Sequence, residues 1–251
     1  MKSSRDLARR TVTVLVFAAA LSSCKPQVTI PDDLSGATWE VINLGSVEDL
    51  PEEVLLLESV FWEPQDTISL RRLIRETPLV RDKTVLEIGT GSGLISLCAL
   101  QYGAAKAVAT DVNPAAVANA QHNAERMGLA DRLEVRRVPL EDRGAFTVIA
   151  PDEKFDLIIS NPPWVDKAPS AVDEFALYDE DFYLLNSLIE GMRSRLNPGG
   201  KGLFAYGTVT GIRTLIAQAQ HNGMETDILD DRNLDELTEE FLPGMLIEIR
   251  P

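Results

Sequence analysis

The sequence predicts an α/β fold with a mostly parallel, doubly wound sheet that carries helices on both faces. Short apolar runs alternate with longer segments of helical spacing, and glycines follow the first of these runs at alternate positions. The chain has 251 residues, of which 45% are hydrophobic. Strands that alternate with helices at this spacing are typical of parallel sheets. This length suits one such domain with a small appendage.

The predicted elements follow one another in βα order. The strands are short apolar runs, in order Thr84–Ile88, Lys106–Asp111, Leu133–Val138, Phe155–Ser160, Gly202–Tyr206, Thr226–Leu229 and Met245–Ile249. Apolar spacings of three and four predict the helices Gly93–Tyr102, Pro114–Met127, about Glu180–Leu196 and Gly211–Asn222. Asn113 before Pro114 favours a helix start, and Asn197 to Gly200 favour a helix end. Upstream, Trp39–Leu44 is a predicted strand, Val54–Trp62 suits a strand or a short helix, and a helix begins near Asp66.

A glycine-rich turn follows the first strand of the alternation. Gly89, Gly91 and Gly93 stand between that strand and the next helix. Glycine allows positive φ there and lets a ligand approach the main chain closely. The helix that follows offers its unpaired N–H groups to a ligand above the strand end. The turn therefore predicts a nucleotide-like ligand, although a plain turn and dinucleotide-binding folds share this pattern.

Two polar residues end strands at the same edge of the predicted sheet. Asp111 ends the second strand, about 20 residues past the loop, where a carboxylate can accept both hydroxyls of a ribose. Asn161 ends the fourth strand, on the other side of the point where the strand order reverses. A ligand site is expected there. Asp111 alone could instead cap the next helix, and Asn161–Pro163 could be an ordinary turn.

The segment Asn161-Pro162-Pro163-Trp164 suits chemistry on a flat nitrogen. An amide or aniline-like NH₂ attacks carbon poorly because its lone pair is delocalised. The Asn161 side-chain oxygen and the Pro162 carbonyl can each accept one of its hydrogens and hold it in line for attack. Proline has no N–H to compete and a fixed φ. Trp164 can supply a flat face for a substrate or pack in the core.

These segments occur in the order of a known enzyme family. The loop Glu87-x-Gly89-x-Gly91-x-Gly93, with Asp111 and the Asn161–Trp164 motif, resembles class I S-adenosylmethionine-dependent methyltransferases. Val60–Thr67 resembles the segment before the domain in the HemK family, which methylates a glutamine amide of peptide-chain release factors. The resemblance implies a Rossmann-like sheet of seven strands with an antiparallel last strand. It also implies S-adenosyl-L-methionine as cofactor and N-methylation of a planar amide or amine, in a protein or a small molecule.

The resemblance implies roles for named residues. The cofactor-binding set is Pro64, Thr67, Glu87, Gly89, Thr90, Gly91, Gly93, Asp111, Val112, Asn113, Val138, Leu140 and Asn161. Within it, Asp111 would bind the ribose, Val138–Leu140 would lie against the adenine, and Pro64 and Thr67 would close the pocket. The catalytic set is Asn161, Pro162, Pro163 and Trp164. HemK-type enzymes usually carry Tyr in place of Trp164, and the bacterial ones carry a helical recognition domain for which Lys25–Leu57 is too short.

The charge balance bears on the partners. The net charge is −15, from 24 basic and 39 acidic residues. Proteins that bind nucleic acid usually show a basic face, so nucleic acid is disfavoured as a partner. N6-adenine methylation of DNA or RNA is the alternative activity, and a non-catalytic, membrane-tethered protein with this fold is another. The acidic residues after the motif suit a solvated helix start or a rim that repels polyanions; they are Asp173, Glu174, Asp179, Glu180 and Asp181.

The first residues resemble a bacterial lipoprotein signal peptide. A basic start precedes the apolar run Thr11–Leu21, which is too short to span a bilayer, and Leu21-Ser22-Ser23-Cys24 follows. The resemblance implies that residues 1–23 are removed and that Cys24 is lipidated. Residues 24–57 would be a tether and short N-terminal extension before a methyltransferase domain at 58–251. The expected location is the cell envelope, anchored to a bacterial membrane, or the cytoplasm if the start is misassigned.

Cysteine and histidine are scarce. Cys24, Cys98, His122 and His221 are never clustered, so no metal site or disulfide framework is predicted. Cys98 is expected to be a small core residue.

Overall fold

The computed structural model describes residues 27–29 and 38–251, in which helices pack on both faces of a large sheet. The elements in chain order are β1 (Gln27–Thr29), β2 (Thr38–Gly45), β3 (Val54–Leu57), α1 (Ile68–Glu76), β4 (Thr84–Ile88), α2 (Leu94–Gln101), β5 (Lys106–Asp111), α3 (Pro114–Arg126), β6 (Leu133–Arg137), β7 (Phe155–Ser160), α4 (Tyr183–Arg195), β8 (Leu196–Thr208), α5 (Val209–His221), β9 (Glu225–Ile228) and β10 (Glu240–Arg250).

The large sheet has seven strands in the order β6-β5-β4-β7-β8-β10-β9. The pairs from β6 to β8 are parallel, and β10 runs antiparallel to both β8 and β9. The predicted doubly wound sheet with an antiparallel last strand is therefore confirmed. The strand order reverses beside β4, so the carboxyl ends of β4 and β7 lie next to each other at the switch point.

Apolar residues fill the space on both faces of the sheet. Val85 and Leu86 are neighbours on β4, both fully buried, and they pack into different core clusters on opposite faces. Because both faces are covered, the central strands appear in the sequence as continuous apolar runs rather than alternating ones. Cys98 is a free thiol buried in the core, as predicted.

The residues before the sheet pack against it. β1, β2 and β3 form a small antiparallel sheet, which confirms the strand predicted at Trp39–Leu44. Val54–Trp62 forms the strand β3 and then a turn, so the strand alternative is the correct one for its first half. Leu55 and Leu57 pack on the alanines of α3. Residues 38–57 are thus a packed extension rather than a free tether.

The leader predicted at 1–23 and the lipidation predicted at Cys24 lie outside the described residues. Within the described part, no helix is both long enough and apolar enough to cross a membrane.

Two helix bounds differ from the prediction. The helix expected from about Glu180 begins at Tyr183, because Asp181 and Phe182 adopt left-handed backbone with φ of 56° and 51°. The expected stop at Asn197 to Gly200 lies inside β8, which begins at Leu196 and pairs with β7 through a register shift. The helix ends two residues before Asn197, and the turn formers bend the strand instead of ending the helix.

Candidate active site

A cavity opens beyond the carboxyl ends of β4, β5 and β7, where the sequence predicts a ligand site. It encloses about 1180 Å³ including its open mouth. Most residues of the predicted site line it: Pro64, Thr67, Glu87, Gly89, Thr90, Gly91, Asp111, Val112, Asn113, Val138, Asn161 and Pro163. The fold thus brings together five segments that are distant in the chain: the residues before α1 and those at the carboxyl ends of β4, β5, β6 and β7.

The glycine loop is held against the end of β5. The N–H groups of Gly89 and Thr90 donate to the Thr110 carbonyl at 2.9 and 3.0 Å. Gly93 has a different role from the one predicted, because it does not line the cavity. It has a φ of 86°, and a β-carbon there would lie 3.1 Å from Ala120. Gly93 therefore allows α2 to begin in close contact with α3.

Asp111 organises the loop through both carboxylate oxygens. Its Oδ2 accepts the Gly91 N–H at 2.8 Å, and its Oδ1 accepts the Asn113 N–H at 2.8 Å. Burial raises the pKa of this carboxyl, while the N–H donors of Gly91, Asn113 and Val112 act in the opposite direction. A carboxylate has about four acceptor positions, so these three donors leave it capacity for a further donor. A ligand hydroxyl matches that capacity.

Glu87 is almost fully buried, with 1% of its surface exposed. Its Oε2 accepts the Thr90 hydroxyl at 2.8 Å and the Ser96 N–H at 3.1 Å, and it also accepts the Ser96 hydroxyl. Burial raises its pKa to about 7, although these three donors stabilise the charged form. Glu87 therefore ties the loop to the first turn of α2, a role the sequence reading did not assign.

Asn161 presents an unsatisfied acceptor at the cavity wall. Its Nδ2 donates to Asp66 Oδ2 at 3.3 Å. Its Oδ1 is buried and has no hydrogen-bond partner among the residues described. An unpaired buried acceptor costs about 1–3 kcal/mol, so such an atom calls for an explanation. A ligand that donates an N–H or O–H at this wall would supply the missing partner.

Aromatic residues that the sequence reading did not assign line the rest of the cavity. They are Phe61, Trp62, Phe175, Tyr178 and Tyr183. The first two belong to the Val60–Thr67 segment, whose resemblance to HemK proteins was the available signal. The other three lie among the acidic residues after the motif. That segment was interpreted from its charge alone, so its aromatic side chains were not assigned to the site. The Arg143 guanidinium lies 5.2 Å from the Phe175 ring centre and 5.5 Å from that of Tyr183, which orders this wall.

The acidic residues between Asp173 and Asp181 were predicted to form a helix start or the rim of the site. Asp173 and Asp179 line the cavity. Asp179 also accepts the N–H groups of Leu184 and Leu185, at 2.9 and 3.1 Å, and so caps the first turn of α4. Of the five acidic residues, only Asp173 is both exposed and part of the cavity lining, and its effect on polyanions stays a prediction.

Three residues of the predicted site, in addition to Gly93, lie outside the cavity lining. Trp164 packs against β8, where a β-carbon on Gly207 would lie 2.6 Å from its ring, so the core alternative describes it. Pro162 is buried and its side chain does not line the cavity. Leu140 is 38% exposed and outside the cavity, because the chain turns at Pro139–Asp142 after β6 ends. The predicted adenine wall is reduced to Val138.

Several known proteins are similar to this chain in sequence. Residues 67–162 match the family model of ribosomal protein L11 methyltransferase (PrmA). The chain is 33% identical over 214 residues to release factor glutamine methyltransferase of Cereibacter sphaeroides, across 80% of this chain and 71% of that protein. It is 31% identical over 126 residues to tRNA1(Val) (adenine(37)-N6)-methyltransferase of Shewanella loihica, across 49% of this chain and only 52% of that protein.

Solved structures share the fold at lower identity. The ribosomal protein L11 methylase of Lactobacillus delbrueckii subsp. bulgaricus has a TM-score of 0.55 at 22% identity, covering 76% of this chain and 80% of that one. The 16S rRNA N2 G1207 methyltransferase of Thermus thermophilus was solved with AdoMet and guanosine. It has a TM-score of 0.56 at 20% identity, covering 82% of this chain and 49% of that one. The sheet order, the glycine loop and these likenesses agree: the chain belongs to the class I S-adenosylmethionine-dependent methyltransferases of the PrmA/HemK-like type.

Proposed function

We propose that the protein transfers a methyl group from S-adenosylmethionine to a planar amide or amine nitrogen of a protein, in a glutamine-like side chain, or of a small molecule. The unpaired Oδ1 of Asn161 at the cavity wall carries this proposal. An unpaired acceptor on a residue that lines the cavity favours a ligand group that has hydrogens to donate, and an amide NH₂ has two.

The residues of the cavity fit the cofactor. Asp111 keeps acceptor capacity for a ribose hydroxyl, and Val138 offers an apolar surface for the adenine. A β-carbon at Gly89 would meet no atom within 4 Å, so the main chain there is open to a ligand. When bound, S-adenosylmethionine supplies an electrophilic methyl group on a sulfonium sulfur.

Asn161 then orients the acceptor nitrogen. Its Oδ1 holds one N–H, and the Pro162 carbonyl would hold the second. Two fixed acceptors turn the nitrogen lone pair toward the cavity and stabilise the positive charge that develops on the nitrogen as it attacks. The proton leaves after attack, so the chain needs no general base before the step.

The acidic lining favours a protein or small-molecule acceptor over nucleic acid. The exposed Asp173 lines the cavity, and the chain carries a net charge of −15. Phosphates are repelled by such charge. Relatives named for release factors and for ribosomal protein L11 act on proteins.

Methylation of N6 of adenine is the second candidate. One relative is named for that reaction on a tRNA. The aromatic wall formed by Phe61, Phe175 and Tyr178 could stack on a base as well as on an amide.

Labelled methyl transfer tests both candidates. The protein is incubated with methyl-tritiated S-adenosylmethionine and separate acceptors: capped peptides with an internal glutamine, asparagine or lysine, glutamine amide, and an unmodified tRNA transcript. We expect transfer to an amide-bearing acceptor, with roughly a 100-fold loss in Asn161→Ala. Asn186→Ala is the matched control, since Asn186 Oδ1 is also buried and unpaired but Asn186 does not line the cavity. Transfer to the tRNA alone would favour the second candidate, and full activity of Asn161→Ala would contradict both.

The leader supports a further part of the proposal, that Cys24 is lipidated and holds the domain at a bacterial membrane. Its support is the sequence Leu21-Ser22-Ser23-Cys24 after a short apolar run. Labelled palmitate fed to bacteria that express the chain should be incorporated, and Cys24→Ser should abolish incorporation. Cys98→Ser is the control, because Cys98 is buried. An unlabelled protein that keeps its first 23 residues would contradict lipidation.

A further inference from the structure

Asp66 lies directly behind Asn161 and outside the cavity. It is 2% exposed, and its Oδ2 accepts the Asn161 Nδ2–H at 3.3 Å. Its neighbours Pro64 and Thr67 line the cavity, whereas Asp66 does not. Asp66 can therefore act on a bound molecule only through Asn161.

The backbone around Asp66 is held in place from two sides. Its N–H donates to the Glu63 carbonyl at 3.2 Å. On the other side β10 lies so close that a β-carbon at Gly244 would be 2.4 Å from the Asp66 carbonyl oxygen. Ser69 also donates to the Gly244 carbonyl at 3.3 Å. The carboxylate is thus fixed in position relative to the end of β7.

No cation compensates the Asp66 carboxylate among the residues that the structure describes. The cation closest in sequence is Arg71, whose guanidinium donates to Asp49, to Thr67 Oγ1 at 3.3 Å and to the Pro64 carbonyl at 2.8 Å. Glu63 adds a like charge nearby. A buried carboxylate without a cation is destabilising. Its presence behind the site points to a role other than stability.

An amide has a donor end and an acceptor end, whereas an ionised carboxylate only accepts. The ionised Asp66 can therefore face only the Nδ2 end of Asn161, because the opposite orientation would place two oxygen acceptors in contact. We propose that Asp66 is a positioning residue whose charge keeps Asn161 Oδ1, the unpaired end of the amide, on the side away from Asp66 and available to the methyl acceptor. This inference rests on the proposed function, in which Oδ1 receives the N–H of the methyl acceptor.

Protonation of Asp66 would remove this constraint. A protonated carboxyl can donate its hydroxyl to Asn161 Oδ1, so the amide could invert and place its NH₂ where the unpaired Oδ1 had been. Burial raises the pKa of Asp66 to about 6, the Asn161 donor lowers it, and the negative charge of Glu63 raises it. Among the groups packed around Asp66, β7 contributes the neutral Asn161 and β10 contributes the Gly244 backbone. The inversion is therefore expected within the mildly acidic range.

Nuclear magnetic resonance of the asparagine side chains tests this directly and needs no methyl acceptor. The side-chain amide signals of Asn161 are assigned by their loss in Asn161→Ala and followed from pH 5 to pH 8. We expect them to shift with a midpoint near pH 6 in the wild type and to stop titrating in Asp66→Asn. Glu63→Gln should keep the transition and move its midpoint to lower pH. An unchanged titration in Asp66→Asn, or a flat response in the wild type, would overturn the proposal even if methyl transfer is observed.

A second measurement separates positioning from a structural role. Asp66→Asn has the same shape as the wild type and removes a buried charge, so its melting temperature at pH 8 should be equal or higher. Its affinity for S-adenosylmethionine should be unchanged, and kcat with the amide acceptor that the methyl-transfer panel identifies should fall by roughly tenfold. A lower melting temperature together with weaker cofactor binding would assign Asp66 a structural role and overturn the proposal.

Discussion

Asn123 holds Leu55 through both backbone polar groups of that residue. Its Oδ1 accepts the Leu55 N–H at 2.9 Å, and its Nδ2 donates to the Leu55 carbonyl at 2.9 Å and to the Ser92 carbonyl at 3.0 Å. Asn119, one turn earlier on α3, accepts the Leu57 N–H at 2.8 Å. Asparagine side chains thus replace a neighbouring strand along one edge of β3. They join the N-terminal extension to the glycine loop of the site.

Asn123→Ala should therefore destabilise the domain by about 3 kcal/mol, because the Leu55 N–H and the Ser92 carbonyl lose the Asn123 side chain as partner, while the Leu55 carbonyl keeps Asn119 Nδ2. The measurement is urea unfolding followed by circular dichroism. Glu125→Ala, on the exposed side of the same helix, is the control and should change the free energy of unfolding by less than about 0.5 kcal/mol. Equal effects of the two substitutions would show that the contacts to Leu55 are dispensable.

The buried ion pair between Arg71 and Asp49 is a second link between the extension and the site. Asp49 is buried and also accepts from Arg75 at 2.9 Å, while its neighbour Glu48 is exposed. Asp49→Ala should lower the free energy of unfolding by about 3–5 kcal/mol, because it leaves the Arg71 charge buried and unpaired. Glu48→Ala should change it by less than about 1 kcal/mol. Urea unfolding of both variants measures these changes, and a small effect of Asp49→Ala would contradict the proposed link.

Glu87 should make stability depend on pH in a defined direction. Burial raises its pKa in the folded protein from 4.5 to about 7. Between these values the folded state binds more protons than the unfolded state, so the contribution of Glu87 to stability falls as the pH rises from about 4.5 to about 7. The Glu87→Gln variant should not show this pH-dependent loss of stability. Its free energy of unfolding, relative to that of the wild type, should therefore rise by about 3 kcal/mol between pH 4.5 and pH 7.

The matched control for Glu87 is Glu153, whose pKa Arg136 lowers to about 2. Glu153 stabilises the fold above pH 4.5, and this contribution is lost as the pH falls toward 2. Glu153→Gln should therefore lose stability relative to the wild type as the pH rises, opposite in sign to Glu87→Gln. Unfolding curves at several pH values that show the same sign for both variants would contradict the account.

Trp164 should matter for stability more than for cofactor binding. Its ring packs against Gly207 on β8, outside the cavity, whereas Phe61 lines the cavity. Trp164→Ala should lower the free energy of unfolding by about 3 kcal/mol and leave the Kd for S-adenosylmethionine unchanged. Phe61→Ala should weaken binding in the cavity with less loss of stability. Calorimetry and urea unfolding on both variants test this, and a reversed pattern would place Trp164 in the cavity wall.

The sheet and the glycine loop could be predicted because their signals are local. Each central strand is buried on both faces, so its apolar run is visible without knowing its neighbours. Asp111 stands at a strand end, and the loop to which it bonds follows β4 by sequence alone. The bonds of Asn119 and Asn123 could not be predicted, because polar helix residues usually face water and only the tertiary fold brings β3 to them. In the aromatic wall, Tyr183 directly follows the left-handed turn at Asp181 and Phe182, for which the sequence has no glycine as a signal.

The position of Trp164 also could not be predicted from the sequence. The motif predicts an aromatic face toward the substrate, yet Gly207, which is distant in the chain, leaves room beside β8 for the indole ring. Asn161 and Asp66 form their pair across β7 and the start of α1, so the orientation of the amide becomes visible only in three dimensions.

Calorimetric titration of the protein with S-adenosylmethionine tests the central claim most directly, with Asp111→Ala and the exposed Asp131→Ala compared side by side. The account predicts one site of micromolar affinity, weakened about 10- to 100-fold in Asp111→Ala because hydrogen bonds of a charged group are worth about 1.5–3 kcal/mol. Asp131→Ala should bind as the wild type does. A folded protein that releases no heat with S-adenosylmethionine, or an Asp111→Ala variant that binds as tightly as the wild type, would contradict the assignment of this cavity.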